Sequence, residues 1–547
     1  MTKRVMNMTI GEKITYLRTA LDMSQEELAE KLNVSRQSVS KWEMDSALPQ
    51  IDKVLQICRL FGVSADELLH ENVEVKKAEA GDTGHNKYFG TDGFRGEANL
   101  NLTSMQAYRV GRFLGWYYSA PLSGCKTPGY RPRIVLGKDT RRSSYMLEYS
   151  IAAGITASGA DVYMLHVTTT PSVSYVTRQD EFDCGIMITA SHNPFYDNGI
   201  KVINRYGEKL DDNAAAYIEA YIDGNMAAIG VEGDDIPLAK RDRIGAIIDY
   251  VSGRNRYMGY LISLASNSYR HLKIGLDCAN GASWMIAKSV FDALGAQTVI
   301  VGNQPNGFNI NEECGSTHIE NLCRVVKEQH LDMGFAFDGD ADRCIAVDEN
   351  GAVVDGDCIM YILSKRLKAR GMLANNTVAA TVMSNSGFFA SLKKAGIEVM
   401  QTKVGDRFVY ECMQQNGFAI GGEQSGHIIL KKYATTGDGI LTAIMLTEEV
   451  CDTKLSLGKL REPVLLYPQY VKNLRVKNKK AAVSDSEVLN TVGEVEKLIN
   501  GEGRVLLRES GTEPVIRIMT ECVSEELCKQ YAEKVAEKIK ERGHISE

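Results

Sequence analysis

The hexapeptide DGDADR, Asp338 to Arg343, lies between two short runs, GFAF and CIAVDE. Carboxylates at i, i+2 and i+4 of a loop can converge on one hard cation through oxygen ligands. A fold that hosts this segment must hold three acids together at a strand's exit and supply something that offsets their repulsion. The rival reading is an EF-hand, whose ligand spacing Asp338, Asp340, Asp342 and Glu349 also fit. Arg343 occupies the turn position that needs glycine, and both flanks read as strands, so the EF-hand is rejected. Three aspartates leave coordination sites open, and a cation here needs a further oxygen, such as a phosphate's.

From Tyr88 onward, short β-branched runs alternate with longer amphipathic stretches. Strand candidates are Arg133–Gly137, Asp161–Leu165, Gly185–Thr189, Lys273–Asp277, Gln297–Val301 and Gly334–Phe337, and Ser524 to Arg542 reads as one long helix. The alternation predicts an α/β protein with parallel or mixed sheets. No internal repeat is visible in the residues themselves. The length, 547 residues, predicts about three to four domains at roughly 150 residues each. Charged residues are 24% and hydrophobic ones 44%, which excludes a disordered or collagenous chain; 49 glycines against 11 prolines favour tight loops over stiff linkers. No apolar run is long enough to span a bilayer, and MTKRVMNMTIGEK lacks a signal peptide's apolar core, so a soluble cytoplasmic protein without a membrane partner is expected. Twelve cysteines form no CxxC pair and nine histidines form no HExxH pattern, which argues against a disulfide frame or a zinc hydrolase.

Four other glycine-containing segments carry chemistry-bearing residues. They are FGTDGFRG (89–96), TASHNPFYDNGIK (189–201), GGEQSGH (421–427) and RESGTEPVIR (508–517). Ser191 sits at the exit of the apolar run GIMI, where a loop can present it to a cleft. A GxSxG elbow is absent, so a hydrolase nucleophile is not supported. Arg508, Ser510, Gly511, Thr512 and Arg517 combine hydroxyls, backbone N–H groups and guanidinium forks, which together suit a phosphate. In GGEQSGH, Glu423 and Ser425 could bind sugar hydroxyls and His427 could transfer a proton. Each segment alone has an ordinary structural reading as a turn, a cap or a surface loop.

Taken together and in this order, the five segments resemble signatures of the α-D-phosphohexomutase family, over a stretch running from about Tyr88 to the C-terminus. The resemblance implies three related α/β mixed-sheet domains (88–240, 241–350, 351–463) and a smaller C-terminal α+β domain (464–547) around one cleft. It implies that Ser191 carries a phosphoryl group and that Asp338, Asp340, Asp342 and the phosphoserine hold one Mg²⁺. A phosphohexose would be the substrate, and a hexosamine 1,6-bisphosphate the intermediate and activator. Lys201 and His427 become proton-transfer candidates, with Arg95 and Arg343 stabilising charge. Glu423, Ser425, Gly405 and Asp406 fall on the substrate side, and Arg508, Ser510, Gly511, Thr512 and Arg517 on the phosphate-binding loop. Gln424 and the YATTGDG context look more like the glucosamine branch, on the route to UDP-N-acetylglucosamine, than the glucose or mannose branch. A phosphoglucomutase/phosphomannomutase activity is the alternative, and a homodimer stays open.

The first 72 residues differ in pattern. Ile10, Ile14, Leu17 and Leu21 have helical spacing; Ser24 with Glu27 forms a capping box; Ser35 caps a helix RQSVSKWE; and Pro49-Gln50 and Ser64 open two more short helices. SQEELAEKLNVSRQSVSKWE resembles an Xre-type helix-turn-helix, which implies an all-α DNA reader with Ser35, Arg36, Gln37, Ser38 and Lys41 toward the duplex. Leu28, Ala29, Leu32, Val34, Val39, Trp42 and Ile51 would form its core. Residues 1–75 hold 9 Lys+Arg and 12 Asp+Glu, a net −3, so DNA binding needs its basic groups gathered on one face. A protein-binding helical module is the plainer alternative. Residues 73–87 read as a polar linker. A transcription regulator that uses the larger body as a sugar-phosphate sensor is a second alternative; the intact motif set favours an enzyme.

Overall fold

The computed structural model describes residues 9–20, 23–32, 34–50, 53–54, 56–57, 87–90, 92–123, 127, 129–509 and 515–546. The chain divides into two compact units, residues 1–85 and 86–547.

In the first unit, α1 (Ile10–Ala20), α2 (Gln25–Lys31) and α3 (Arg36–Glu43) follow the expected pattern. The capping box forms in both directions: Glu27 N–H donates to Ser24 Oγ at 3.1 Å, and Ser24 N–H to Glu27 Oε2 at 2.6 Å. Ser35 caps α3 by accepting the Ser38 N–H. Ile14, Leu17, Leu28, Ala29, Leu32, Val39, Trp42, Val54 and Ile57 close the core, with Val34 half-buried against it. Arg18 pairs with Glu43 and ties α1 to α3. The positions expected at Leu21, Ile51 and Ser64, and nearly all of the linker, lie outside the described residues.

The strands of the second unit form four sheets among the described residues. The first holds β1 (Phe89–Gly90), β2 (Gly93–Glu97), β3 (Arg133–Lys138), β4 (Asp161–Val167), β5 (Cys184–Ile188), β6 (Asp197–Asn204) and β7 (Ile247–Asp249), ordered β1-β2-β6-β5-β3-β4-β7. The second holds β8 (Lys273–Asp277), β9 (Gln297–Val301), β10 (Met333–Phe337), β11 (Cys344–Asp348) and β12 (Val353–Val354), ordered β12-β11-β10-β8-β9. The third holds β13 (Thr377–Thr381), β14 (Glu398–Thr402), β15 (Ile420–Gly422) and β16 (Ile428–Leu430), ordered β14-β13-β15-β16. The last is antiparallel: β17 (Gln469–Arg475), β18 (Arg504–Glu509) and β19 (Val515–Glu521), ordered β17-β19-β18. The first sheet takes in β7, which pairs in parallel with β4 through Val162–Met164. The first sheet therefore extends to Asp249, past residue 240.

The three larger sheets share one device that the residues alone conceal. In each, a parallel strand turns back as an antiparallel neighbour: β5 into β6, β10 into β11, β15 into β16. The connections are the segments holding Ser191, the three aspartates and His427. A buried strand on each side fixes both ends of every loop, so loops from separate sheets can be aimed at one point with little backbone freedom. Burial supplies the rigidity: β5, β10 and β11 are buried at every residue.

Candidate active site

Ser191 sits just beyond β5 with φ +53, a left-handed conformation that is uncommon for a residue with a Cβ. Its N–H donates to Thr189 Oγ1 at 2.9 Å, and its Oγ donates to Asp338 Oδ2 at 2.5 Å. The loop after β5 thus meets the loop after β10. Asp338 Oδ1 accepts the Arg343 N–H at 3.2 Å. Asp340 Oδ2 accepts Thr170 Oγ1 at 2.5 Å and Lys201 Nζ at 2.9 Å, and Lys201 reaches Asp342 Oδ2 at 3.1 Å. Lys201 is 6% exposed and extends from β6 into this cluster.

The electrostatics follow from burying so many charges together. Burial and then the neighbouring Asp342 and Asp340 push the Asp338 carboxyl well above the ordinary carboxylate range. Burial also works against the charged form of Asp342, but Lys201, His427 and Arg343 outweigh it and hold that carboxyl well below the ordinary range. The same balance raises Lys201, whose desolvation is overcome by Asp340, Asp342 and Asp92. His192, beside Ser191 Oγ at 3.4 Å, is pushed down to about 4 by burial and by Arg343 and Arg95, and is neutral near pH 7. His427 resists desolvation because Asp342 and Asp406 raise it to about 9. The Gly437 N–H, pointing at His427 Nε2 at 3.0 Å, opposes that rise because it needs a bare nitrogen. Protonation would exchange this bond for Asp406, 3.4 Å from Nε2.

Two charged groups outside the candidate set, Asp92 and Lys209, complete the cluster. Asp92 lies within FGTDGFRG; it pairs with Arg95 and contacts Lys201 at 3.1 Å and Lys209 at 2.8 Å. Lys209 bridges onward to Asp406 at 2.8 Å and so links the first and third domains. Asp92 could have been read from its place three residues before Arg95; Lys209 carries no local signal. Glu423 accepts the Gly405 N–H at 3.0 Å, which places the GGEQSGH and TKVGDRF segments side by side, and Gly405 adopts φ +124 to make this contact. Ser425 is exposed.

Arg508 and Arg517 belong to the C-terminal sheet, directly opposite one another across β18 and β19. Like charges in such a pair repel, and burial together with Arg517 lowers the Arg508 guanidinium's affinity for its proton. An anion over this pair would relieve the repulsion. Ser510, Gly511 and Thr512 lie outside the described residues.

The donor set at DGDADR suits a hard divalent cation. Ligand oxygens of the three buried aspartates lie within 4.8 Å of one another. Asp340 Oδ1 and Asp342 Oδ1 are buried without a hydrogen-bond partner, the latter 3.6 Å from His427 Nδ1, an arrangement that suits metal-ligand oxygens.

A serine on a strand-end loop, three converging aspartates, a buried lysine and a histidine, gathered from three sheets of related topology, define an α-D-phosphohexomutase body. Family models for phosphoglucomutase/phosphomannomutase match in order: α/β/α domain I over residues 86–228, domain II over 255–351, domain III over 355–467 and the C-terminal domain over 472–538. A helix-turn-helix model matches residues 14–68. The phosphoglucosamine mutase of Lachnospira eligens is 56% identical over 458 residues, covering 84% of this chain and 99% of the relative. That of Bacillus subtilis is 45% identical over 454 residues, covering 83% and 98%. The chain belongs to the phosphoglucosamine mutases of the phosphoglucomutase/phosphomannomutase family, and it carries a helix-turn-helix domain in front. Among solved structures, a phosphoglucomutase/phosphomannomutase family protein from Burkholderia thailandensis has the same fold at a TM-score of 0.69 and 22% identity, covering 83% of this chain and 97% of that one. The N-acetylphosphoglucosamine mutase of Aspergillus fumigatus, solved with GlcNAc-6P and magnesium, gives 0.60 at 18% identity, covering 84% and 97%. No helix among the described residues is long and apolar enough to cross a membrane.

Proposed function

We propose that this mutase interconverts glucosamine 6-phosphate and glucosamine 1-phosphate through a phosphorylated Ser191. The observation that carries the reading is the 2.5 Å contact between Ser191 Oγ and Asp338 Oδ2, which seats the phosphoryl-accepting atom on the aspartate loop. Asp338, Asp340 and Asp342, with an oxygen of the phosphoserine, would hold one Mg²⁺, which when bound neutralises charge on the transferring group. Ser191 would give its phosphoryl group to the substrate's free hydroxyl and recover the other phosphate from a hexosamine 1,6-bisphosphate. Reorientation between the two steps requires one site that accepts either phosphate, and Arg508, Arg517 and the 510–512 segment supply the chemistry for it. The attacking hydroxyl must lose its proton as the new bond forms. His427 would take that proton in its neutral form, which a cation offsetting the Asp342 charge that raises it would favour; Lys201, locked between carboxylates, suits charge stabilisation better. Arg95 and Arg343 would face the oxygens in transfer. Glu423 and Ser425 would take sugar hydroxyls, with Gly405 and Asp406 shaping the same wall.

Glucosamine 1-phosphate should outperform glucose 1-phosphate in kcat/KM by at least about tenfold, the discrimination one polar contact can give. Coupled assays on both sugars test this, and a strong preference for glucose would move the chain to the phosphoglucomutase alternative.

The helix-turn-helix domain is read as a DNA-binding module. In α3, Arg36, Gln37 and Lys41 are exposed while Val39 and Trp42 are buried, so one face is free for a major groove. Arg36 is paired with Glu26 at 2.9 Å, both well exposed, a weak tie that a phosphate can displace. The full-length chain should enrich specific duplexes from a random pool at low salt, and Lys41→Ala should weaken binding across sequences and lower the salt slope by about one. No enrichment would favour the protein-binding alternative. Two recognition helices, and hence a homodimer, would suit a repeated half-site.

A further inference from the structure

The left-handed backbone of Ser191 requires an explanation, because a residue with a Cβ holds φ +53 only where its surroundings over-determine it. The restraint acts on carbonyl oxygens. Arg141 Nη2 donates to Ser191 O at 3.1 Å and to Asn193 O at 2.6 Å. Asn311 Nδ2 donates to the same two oxygens, both at 3.0 Å. Each nitrogen carries two protons and each proton has a carbonyl, so two –NH₂ groups bridge one pair of acceptors with none left over. Both donors are themselves fixed. Arg141 is fully buried and paired with Asp139, which also accepts the Arg141 N–H at 3.0 Å and Ser144 Oγ at 2.8 Å. Asn311 is 6% exposed, and its N–H donates to Ala279 O at 2.9 Å. Behind the same carbonyl lies Gly339 of the aspartate loop, where an added Cβ would stand 2.5 Å from Ser191 O and 3.2 Å from Asn311 Nδ2.

Arg141 follows β3 in the first domain, and Asn311 follows β9 in the second. The serine loop is therefore gripped from the domain that carries it and from the domain that carries the aspartates. We propose that Arg141 and Asn311 are positioning residues for phosphoryl transfer: by holding the Ser191 and Asn193 carbonyls they keep Ser191 left-handed and its Oγ aimed at the aspartate loop. Neither contacts the aspartates, Lys201 or His427. Their effect reaches the reaction only through the direction of Oγ, and in-line transfer is sensitive to displacements of about 1 Å.

The proposal rests on Ser191 as the phosphoryl acceptor, so the test reads that step directly. The full-length chain with Mg²⁺ is mixed with glucose 1,6-bisphosphate, and phosphorylation of Ser191 is followed by intact and peptide mass. In this step the sugar O–P bond breaks, the Oγ–P bond forms and the serine proton passes to the sugar oxygen. Asn311→Asp keeps the shape, removes both donors and sets a carboxylate against two carbonyls. Its loading rate and kcat should fall on the order of 10²-fold with KM within about twofold of the parent, a split that marks lost alignment rather than lost binding. Asn311→Ala should lose about tenfold, because water can replace part of the donor set. If Asn311→Asp does not fold, Asn311→Ala and Arg141→Lys carry the same measurement. Loading at the parent rate in these variants, or equal losses in kcat/KM and thermal stability with kcat intact, would overturn the proposal. A parent chain that acquires no phosphate on Ser191 would overturn the phosphoserine reading first, and the proposal with it.

Discussion

Alanine at Ser191 is expected to reduce mutase turnover by at least about 10⁴-fold, the scale seen when a nucleophile that works in a concerted site is removed. The same variant should acquire no phosphoryl increment by intact mass with a bisphosphorylated sugar. Its fold should persist. Ser191 is 1% exposed, and what it loses is one hydroxyl with its bond to Asp338 and its long contact to His192, while the Thr189, Arg141 and Asn311 contacts act on backbone atoms that alanine retains. A melting shift within about 4 °C is consistent with losing one hydrogen bond in a protein of this size. Parent-level turnover in a folded Ser191→Ala chain would refute the phosphoserine mechanism. Inactivity accompanied by collapse of the fold would instead identify Ser191 as structural.

Much of the second unit's site was legible because its residues lie in loops whose composition has few other uses. Asp338, Asp340 and Asp342 are close in sequence, so a tight loop alone brings their oxygens together. The apolar run before Ser191 is β5, and the serine lies in the loop that leaves it. The strand candidates at 273–277 and 297–301 match β8, whose last four residues are buried, and β9, whose Thr298, Val299, Ile300 and Val301 are β-branched and half-buried. Contacts made across the fold left no trace. Lys209 has no motif around it, yet it joins Asp92 to Asp406 across 117 and 197 positions of sequence. Thr170, the first residue of a helix, binds Asp340 from 170 positions away. Arg141 and Asn311 act on carbonyls, which every residue has, so nothing in the sequence marks the partner. The β7 strand is hidden for a related reason: IID is too short to announce a strand, and only its pairing with β4 makes it one.

Asparagine at Asp338 is expected to separate stability from function. Burial, Asp342 and Asp340 raise the Asp338 carboxyl in the folded state, so the fold binds its proton more tightly than the unfolded chain does. The stability it contributes is present at low pH and is lost as pH rises above the unfolded value near 3.8 toward the raised folded value. Near pH 7 the group therefore opposes folding unless a divalent cation offsets it. In asparagine the side-chain oxygen can still accept the Arg343 N–H, and the amide can donate to Ser191 Oγ, so both existing contacts have replacements. With chelator at neutral pH, Asp338→Asn should melt about 2–4 °C above the parent, the shift expected for roughly 1 kcal/mol in a large domain. Its melting temperature should also vary less between pH 4 and pH 7. Adding Mg²⁺ should reverse the order, because the parent gains ligand-linked stability that the variant, lacking one charged oxygen, largely forfeits. Turnover should fall by about 10²–10³-fold, comparable with losing one preorganised charge-stabilising contact. Melting curves with and without Mg²⁺ across this pH range check the set. A variant that melts below the parent in chelator would show that Asp338 stabilises the fold in its ionised form, and the charge repulsion assigned to this loop would have to be abandoned.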